Sequence, residues 1–492
     1  MTKKIIFILG LFTFANAKAQ TQVPNNNVQS KLNAIVADPS FANAGISCYV
    51  YNTQSKAVVA KHNENLALTP ASVAKLVSTS TAMSKLGTGY RFKTELYIQG
   101  IIDSLGTLHG NIFIKGGGDP TLGSKYYNIK GKEKDFLQKW SDTISNYGIK
   151  RITGSIIGDG SIFGNQGAPG GWSWSDLGNY YGAAPSGLSI YDNQLQIIFK
   201  TGATHGDSTK IICTKPYVEG LEIKNYVTSS RIKKDNSYAF TAPYSNDYFT
   251  QGTLPLQKDS FVVKGSIANP VLLCALELEN ALEKNGITVG THAMTLRDLA
   301  SPPDSLYKTK EYKKIYTNKS PSLLSIAKLT NQRSVNLFAE SLLSIVGAKR
   351  YGNGSTYNGS MAAIGYWSSK IKTKGMTITD GSGLSRSNGI SSRNLTDLLT
   401  SMAKSKYASS FKSTLAVAGK SGTLSSMCRR QAASGRVKGK SGSMTRVKAY
   451  SGYVDSSTGK KLAFTIIVNN FRGKSYVVKK KIEGLFNAMA VY

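Results

Sequence analysis

The segment "TPASVAKLVSTSTAMSKLG", residues 69–87, carries the clearest local signal in this chain of 492 residues. Thr69 is a residue type that caps the N-terminus of helices, Pro70 suits the first helical position, and Gly87 is a typical helix stop. The apolar residues between them recur at intervals of three and four, which places them on one helical face. The segment therefore predicts an amphipathic helix that packs against a core.

Within this helix, Ser72 precedes Lys75 by three residues, so the two side chains share one face. A lysine in a poorly solvated cleft loses proton affinity and can accept the proton of a serine hydroxyl. In the first turn of a helix, backbone N–H groups lack partners and can stabilise an oxyanion. The pattern predicts a nucleophile and its base, and the alternative is an exposed polar first turn.

The Ser-x-x-Lys spacing alone is not specific in a lysine-rich chain. Seven further copies begin at Ser230, Ser305, Ser325, Ser369, Ser401, Ser409 and Ser457. None of them has an equally clear helix start, so Ser72 is the preferred candidate.

Two later segments supply further polar groups. Ser334-Val335-Asn336 offers a hydroxyl and an amide, although a helix cap at Ser334 is the simpler interpretation in isolation. Lys-Ser-Gly occurs twice, at residues 420–422 and 440–442. Each copy is weak evidence by itself because these residue types are abundant here.

The N-terminus predicts export. Basic "MTKK" is followed by the apolar run "IIFILGLFTF" and by small residues with Ala-x-Ala spacing, so residues 1–19 are interpreted as a signal peptide. The run is too short to span a bilayer, which takes roughly 20 residues. The mature chain is therefore predicted to be periplasmic, with no transmembrane segment.

Composition excludes several classes of function. The four cysteines and four histidines are scattered without ligand spacing, so no metal site and no cofactor are predicted. The net charge is +33, or +30 without residues 1–19, which suits an anionic envelope polymer as a partner. No nucleic-acid motif is present, and a solvated basic surface without a specific ligand is the simpler interpretation of the charge.

The order of elements predicts an interrupted domain. A hairpin and the helix of residues 69–87 open the chain, short strand-like runs dominate residues 91–302, and helices followed by basic strands close it. We predict a first part of the catalytic domain at residues 20–90, a β-rich insertion at 91–302 and a second part at 303–492. Residues 299–310 are interpreted as a linker.

The combination and order of these motifs resemble the class C low-molecular-mass penicillin-binding proteins, the D-alanyl-D-alanine carboxypeptidase/endopeptidase family. The resemblance covers nearly all of the mature chain. Its markers are "PASVAKL", "LGTGYRFKTEL", "GGGDPTL", "WSWSDLGNYYGAAPSGLSIYDNQ", "SVNLFAESLL", "DGSGLSRSN" and "GKSGSMTRVKAYSGY". It implies an α/β (α+β) serine β-lactamase/DD-peptidase-like transpeptidase domain, in which helices cover an antiparallel sheet, with a large β-rich insertion.

The resemblance also implies a role for each motif residue. Ser72 would attack the carbonyl between two D-alanines, Lys75 would accept its proton, and Ser334 would pass a proton to the departing amine. Asn336 would hold Lys75 and the amide of the substrate. Lys440 would orient the hydroxyls and attract the terminal carboxylate. The second Lys-Ser-Gly copy is then the functional one, and Lys420 belongs to a loop upstream of it.

Substrate-binding residues follow from the same resemblance. Ser441 and Gly442 complete the strand motif, with Ser441 in a position usually held by Thr. The amide of Ser443 would share the oxyanion with that of Ser72. The predicted specificity positions are Asp176 and Tyr181, which would contact the free amine of a diaminopimelate side chain, and Arg386 and Thr445 on the rim of the site.

The predicted protein is thus an exported serine DD-peptidase that cleaves D-Ala-D-Ala termini or D-Ala-diaminopimelate cross-links of peptidoglycan stem peptides and is acylated by β-lactams. A β-lactamase-like hydrolase would share the same motifs but would release penicillin quickly. A basic envelope-binding protein without catalysis is a third interpretation, although it would have no need of a nucleophile–lysine pair.

Overall fold

The computed structural model describes residues 27–128, 131–299, 307 and 311–492. The predicted signal peptide and most of the predicted linker lie outside these residues. The helices in the described part are α1 Asn27–Val36, α2 Lys75–Leu86, α3 Asp135–Asn146, α4 Trp174–Leu177, α5 Pro270–Lys284, α6 Leu323–Arg333, α7 Asn336–Tyr351, α8 Thr356–Ser368, α9 Ser392–Ala403, α10 Ala408–Ser413 and α11 Ser475–Ala490.

The strands alternate with these helices along the chain. They are β1 Gly45–Asn52, β2 Ala57–His62, β3 Ala67–Leu68, β4 Lys93–Ile102, β5 Thr107–Lys115, β6 Arg151–Ile152, β7 Ile156–Asp159, β8 Gln194–Lys200, β9 Lys210–Lys215, β10 Glu222–Ser230, β11 Asn236–Phe240, β12 Asp247–Pro255, β13 Phe261–Ser266, β14 Thr288–Val289, β15 Met294–Thr295, β16 Tyr312–Lys319, β17 Ile390–Ser391, β18 Ala416–Val417, β19 Val437–Met444, β20 Val447–Asp455 and β21 Lys461–Asn469.

The main sheet joins the two ends of the chain. Its six strands lie in the order β18-β19-β20-β21-β1-β2, and every neighbouring pair is antiparallel. Alternate residues of β21 enter different cores: Phe464 and Ile466 pack with α1 and α11, whereas Ala463 and Ile467 pack with α2 and α9. Helices therefore cover both faces of the sheet. Side chains alternate between the two faces of a strand, so a strand that is buried on both faces contributes to two different cores.

The middle of the chain forms three further sheets around its own core. Strands β14, β6, β5, β4 and β16 form one path, with β7 and β15 attached through β5. Two three-stranded sheets have the orders β13-β8-β9 and β10-β12-β11. Helices α3 and α5 pack with these sheets in a single apolar core that includes Trp140. Strand β16 lies after the predicted boundary at residue 302 and pairs with β4.

The start of the helix at residues 69–87 differs from the prediction. Ala71–Ala74 form a 3₁₀ turn and the α-helix begins at Lys75, while Gly87 ends it as expected. The predicted N-cap at Thr69 is wrong, because its hydroxyl donates to the Arg386 carbonyl at 3.2 Å instead of to the helix. Ser72 therefore lies in a tight turn that ties this segment to the "DGSGLSR" loop.

The helical region near residue 334 is divided in two. Helix α6 ends at Arg333 and α7 begins at Asn336, with Ser334 between them in the left-handed conformation at a φ of 61°. A positive φ is unfavourable for a residue with a Cβ, and such strain is typical of functional sites. This turn directs the Ser334 side chain towards β19 instead of along the helix.

Within the described ranges, no helix combines the length and the apolar character that a bilayer crossing requires.

Candidate active site

The first Ser-x-x-Lys pair lies at the base of a cleft between the main sheet and the insertion. Lys75 is fully buried, and its Nζ lies 2.9 Å from Ser72 Oγ, 2.6 Å from Asn336 Oδ1 and 2.7 Å from the Ser382 carbonyl oxygen. Two of these three partners can only accept hydrogen bonds, whereas the serine hydroxyl can also donate. A neutral lysine would thus give both its N–H groups to the two acceptors and keep its lone pair for the Ser72 hydroxyl.

Burial also changes the proton affinity of Lys75. It lowers the pKa of the amine from 10.5 to about 7, because the ammonium loses its hydration, while the nearby Asp380 and Glu340 carboxylates oppose the change. A substantial fraction of this lysine is therefore neutral near pH 7, the form that can accept a proton.

The second hydroxyl–lysine pair lies beside the first. Lys440 on β19 is fully buried, and its Nζ donates to Ser334 Oγ at 2.9 Å and to the Ser441 carbonyl at 2.7 Å. Burial lowers the pKa of Lys440 well below its usual range, and the proximity of Lys75 adds to this effect. The two lysines thus each contact one hydroxyl, with Asn336 on the Lys75 side.

Strand β19 passes directly over the 3₁₀ turn Ala71–Ala74, the predicted nucleophile turn. A Cβ added at Gly442 would lie 2.7 Å from the Pro70 carbonyl oxygen and 3.1 Å from the Ser72 nitrogen. Only glycine permits this approach, which explains the residue type in the Lys-Ser-Gly motif. Ser441 donates from its hydroxyl to Thr423 Oγ1 at 2.8 Å, so the loop that contains the first Lys-Ser-Gly copy supports the second. Lys420 itself is exposed.

The cleft has a volume of about 840 Å³ and collects most of the predicted residues. Eight of the twelve line it: Ser72, Asp176, Tyr181, Ser334, Asn336, Arg386, Ser443 and Thr445. The other four are Lys75 and Lys440, which contact the cleft serines from behind, and Ser441 and Gly442 on β19. Segments separated by more than 350 residues therefore meet at one site.

The predicted specificity residues form the wall and the rim of this cleft. The Tyr181 hydroxyl donates to the Asp176 carboxylate, whose pKa is raised mainly by burial and lowered in part by the Tyr181 contact and Arg386. Arg386 donates from Nη2 to the Thr445 carbonyl at 3.3 Å. The wall therefore presents an acid, and the rim presents a guanidinium close by.

Sequence reasoning missed the carboxylates that support the Lys75 side of the site. Glu340, one helical turn beyond Asn336, is fully buried and accepts from the amides of Gly381 and Ser382 at 2.8 Å each. Burial, followed by the nearby Asp380, raises the pKa of Glu340 to about 8. These bonds fix the loop whose Ser382 carbonyl receives the Lys75 amine. The only signal in the sequence is an acid four residues after Asn336.

Asp380 connects that loop to the insertion. It accepts from the amides of Gly383 and Ser385 at 2.7 and 2.6 Å, from Asn388 Nδ2 at 2.8 Å and from Trp172 Nε1 at 2.8 Å. Asn336 makes a second connection, donating from Nδ2 to the Tyr181 carbonyl at 2.7 Å. The segment 172–181 of the insertion is thus held at two points, to Asp380 and to Asn336.

The penicillin-recognising class of serine enzymes is defined by three motifs around one cleft. These are a serine with a lysine three residues later, a Ser-x-Asn turn, and a strand with a Lys-Ser-Gly or Lys-Thr-Gly sequence. The chain belongs to the D-Ala-D-Ala carboxypeptidase 3 (S13) family, whose sequence pattern it matches over residues 28–489. This membership confirms the predicted family and the predicted activity class, a serine DD-peptidase that acts on peptidoglycan.

Individual relatives agree with this assignment. The chain is 27% identical over 467 residues to a D-alanyl-D-alanine carboxypeptidase of Actinomadura sp., covering 91% of this chain and 81% of the relative. It is 23% identical over 459 residues to the D-alanyl-D-alanine carboxypeptidase DacB of Haemophilus influenzae, covering 88% and 90%.

A solved structure shows the shared architecture. The crystal structure of penicillin-binding protein 4 from Haemophilus influenzae superposes with a TM-score of 0.80 at 22% identity, covering 95% of this chain and all of the other. The predicted fold class, a helix-covered antiparallel sheet with a large insertion, is confirmed. The division of the chain at residues 90 and 302 stays a prediction.

Proposed function

We propose that Ser72 is the nucleophile of this DD-peptidase and that neutral Lys75 is its base. The observation that carries this proposal is the set of three contacts around Lys75 Nζ, in which Asn336 and Ser382 occupy its donors and the Ser72 hydroxyl faces its lone pair. Ser72 would attack the carbonyl carbon between two D-alanines, and its proton would pass to Lys75. The oxyanion would form between the backbone N–H groups of Ser72 and Ser443.

The second pair would complete the transfer. The Ser334 hydroxyl would give a proton to the departing amine and regain one from Lys440, with which it shares a 2.9 Å contact. The carboxylate of the terminal D-alanine would raise the proton affinity of Lys440, so substrate binding would favour its ammonium form. Water would then hydrolyse the ester at Ser72 and release the shortened peptide.

The wall of the cleft supports a preference for diaminopimelate. The side chain of diaminopimelate ends in an amine and a carboxylate. The amine matches the Asp176 carboxylate with its Tyr181 contact, and the carboxylate matches the nearby Arg386 guanidinium. We expect a substrate with diaminopimelate at the third position to have a higher kcat/KM than one with lysine. Cleavage of cross-links would use the same groups, with the amine of the second stem peptide as the leaving group.

A β-lactam would acylate the same serine, which provides the test. Fluorescent penicillin should label the wild type and not Ser72→Ala. A matched control is Ser369→Ala, because Ser369 also begins a Ser-x-x-Lys sequence but is exposed. Equal labelling of wild type and Ser72→Ala would refute the proposed nucleophile. Rapid release of the label by the wild type would favour the β-lactamase alternative.

Export to the periplasm is part of the proposal and is supported by the pattern of residues 1–19. The intact mass of the protein recovered from a periplasmic fraction would test both the location and the cleavage. Anionic envelope polymers stay proposed partners on the basis of the charge of +30. Salt-dependent retention on such a polymer would test them.

A further inference from the structure

The three-stranded sheet β10-β12-β11 has one face in the core and one face towards solvent. Val227, Ala239, Tyr248 and Leu254 belong to the buried core. The neighbouring positions along each strand point to the opposite face, because side chains alternate with a period of two. This sheet therefore presents a complete second face that its own core does not use.

One row of this outer face combines two tyrosines with an amide. Tyr226, Gln251 and Tyr238 are directly paired across the three strands. The side chains of Tyr226 and Tyr238 are 65% and 45% exposed. They lie two strands apart, or about 10 Å. A contiguous exposed apolar patch marks an interaction site, whereas residues exposed singly need no such explanation.

The rows on either side differ from each other: one adds aromatic rings and the exposed Lys224, which pairs with Phe249, and the other adds hydroxyl and amide groups. On one side, Phe240 and Phe249 stack at 4.6 Å between ring centroids, and Trp174, which is 57% exposed, packs against both rings. On the other side, Thr228, Thr253 and Asn236 are paired across the strands. The tyrosine row and the threonine row carry no charge. We call the two rows together with Trp174 the aromatic face.

The aromatic face continues from the active-site cleft. Tyr238, Phe240 and Gln251 line the same cleft as Ser72 and Asp176. Under the proposed function, a stem peptide lies in this cleft. That peptide is attached covalently to a glycan strand, so the sugars of the substrate must leave the cleft along a neighbouring surface.

The chemistry of the aromatic face matches those sugars. The C–H face of a sugar ring packs on an aromatic ring, and its hydroxyl and acetamide groups pair with amide and hydroxyl side chains such as Gln251 and Thr253. The glycan is neutral where its amino sugars are N-acetylated and its lactyl groups carry stem peptides, which suits uncharged rows better than an anionic polymer would.

We propose that the aromatic face binds the glycan strand of peptidoglycan and so favours stem peptides that are still attached to sugar. This inference rests on the proposed function for the direction of the substrate. It makes the insertion a substrate-binding element in addition to a wall of the cleft.

The direct test measures binding of glycan strands from which all peptides have been removed, at high salt so that the lactyl carboxylates exposed by peptide removal are screened from the basic chain. We expect the wild type to bind them and Tyr226→Ala to bind roughly three- to tenfold more weakly, the loss expected for one aromatic contact. Tyr357→Ala is the matched control, because Tyr357 is 71% exposed on α8, away from this sheet. Absence of binding by the wild type, or equal binding by the wild type and Tyr226→Ala, would overturn the inference.

A second measurement uses turnover. Tyr226 does not line the cleft. We therefore expect Tyr226→Ala to cleave a free pentapeptide at the wild-type rate and to lose the preference of the wild type for a disaccharide-pentapeptide. Equal kcat/KM values of the wild type for both substrates would contradict the inference. Concentration-dependent dimerisation of the wild type that Tyr226→Ala abolishes would also contradict it, because the aromatic face would then bind a second copy of the chain. Failure of the proposed function would be seen separately, as equal penicillin labelling of the wild type and Ser72→Ala with glycan binding intact.

Discussion

The state of Lys75 leads to a prediction about pH. If neutral Lys75 is the base, the rate of acylation follows the fraction of this lysine that is unprotonated. With a pKa of about 7, roughly half is neutral at pH 7 and about a tenth at pH 6. An ordinary lysine with a pKa of 10.5 would be neutral in roughly one molecule in 3,000 at pH 7. The net effect of burial, opposed by Asp380 and Glu340, thus destabilises the ammonium by about 5 kcal/mol.

The assay is the second-order rate constant for labelling by fluorescent penicillin between pH 5 and 9. We expect a plateau above pH 8, about a fivefold fall from pH 7 to pH 6, and about a tenfold fall for each further pH unit. The sign is fixed, because acid protonates the group that must accept the proton of Ser72.

Two variants sharpen this test. Lys75→Arg should not label at any pH, since a guanidinium stays protonated throughout this range. Lys372→Arg is the control, because Lys372 ends the Ser-x-x-Lys sequence at Ser369 and is exposed. A labelling rate that is the same at pH 5.5 and 7.5, or that still rises about tenfold between pH 8 and pH 9, would refute the assignment of Lys75 as the base.

Three further predictions concern the elements that surround this pair. Trp172→Phe removes one buried hydrogen bond to the Asp380 carboxylate, so it should lower the free energy of unfolding by roughly 1.5–3 kcal/mol in a urea titration and slow penicillin labelling. An unchanged free energy of unfolding together with an unchanged labelling rate would contradict this prediction. Lys440→Ala should lose labelling and Lys420→Ala should retain it, because only Lys440 is buried against Ser334. The reverse result would show that the first Lys-Ser-Gly copy is the functional one. Gly442→Ala should slow labelling at least tenfold, because its Cβ would displace β19 from the nucleophile turn, and a wild-type rate would show that the strand can yield without cost.

Much of the site was predictable because its motifs are local. The Ser72–Lys75 spacing, the Ser334–Asn336 turn and the second Lys-Ser-Gly copy each occupy a few consecutive residues, and the structure brings all three to one cleft. Strands near both ends of the chain were also predictable from the sequence, whereas the antiparallel sheet that joins them followed only from the family resemblance. The 3₁₀ start of the helix predicted at residues 69–87 was not predictable, because the Thr69 hydroxyl donates to the carbonyl of Arg386, which is distant in the sequence.

The sequence by itself determined which residue types are available and which local elements carry them: a nucleophile turn, two lysines, an amide and a strand motif. The tertiary structure alone decided how those lysines behave. Burial of Lys75 among Asn336, Ser382 and two carboxylates sets its proton affinity, and those groups come from positions more than 260 residues away. Hydration and electric field depend on distance in space, so no pattern along the chain contains them.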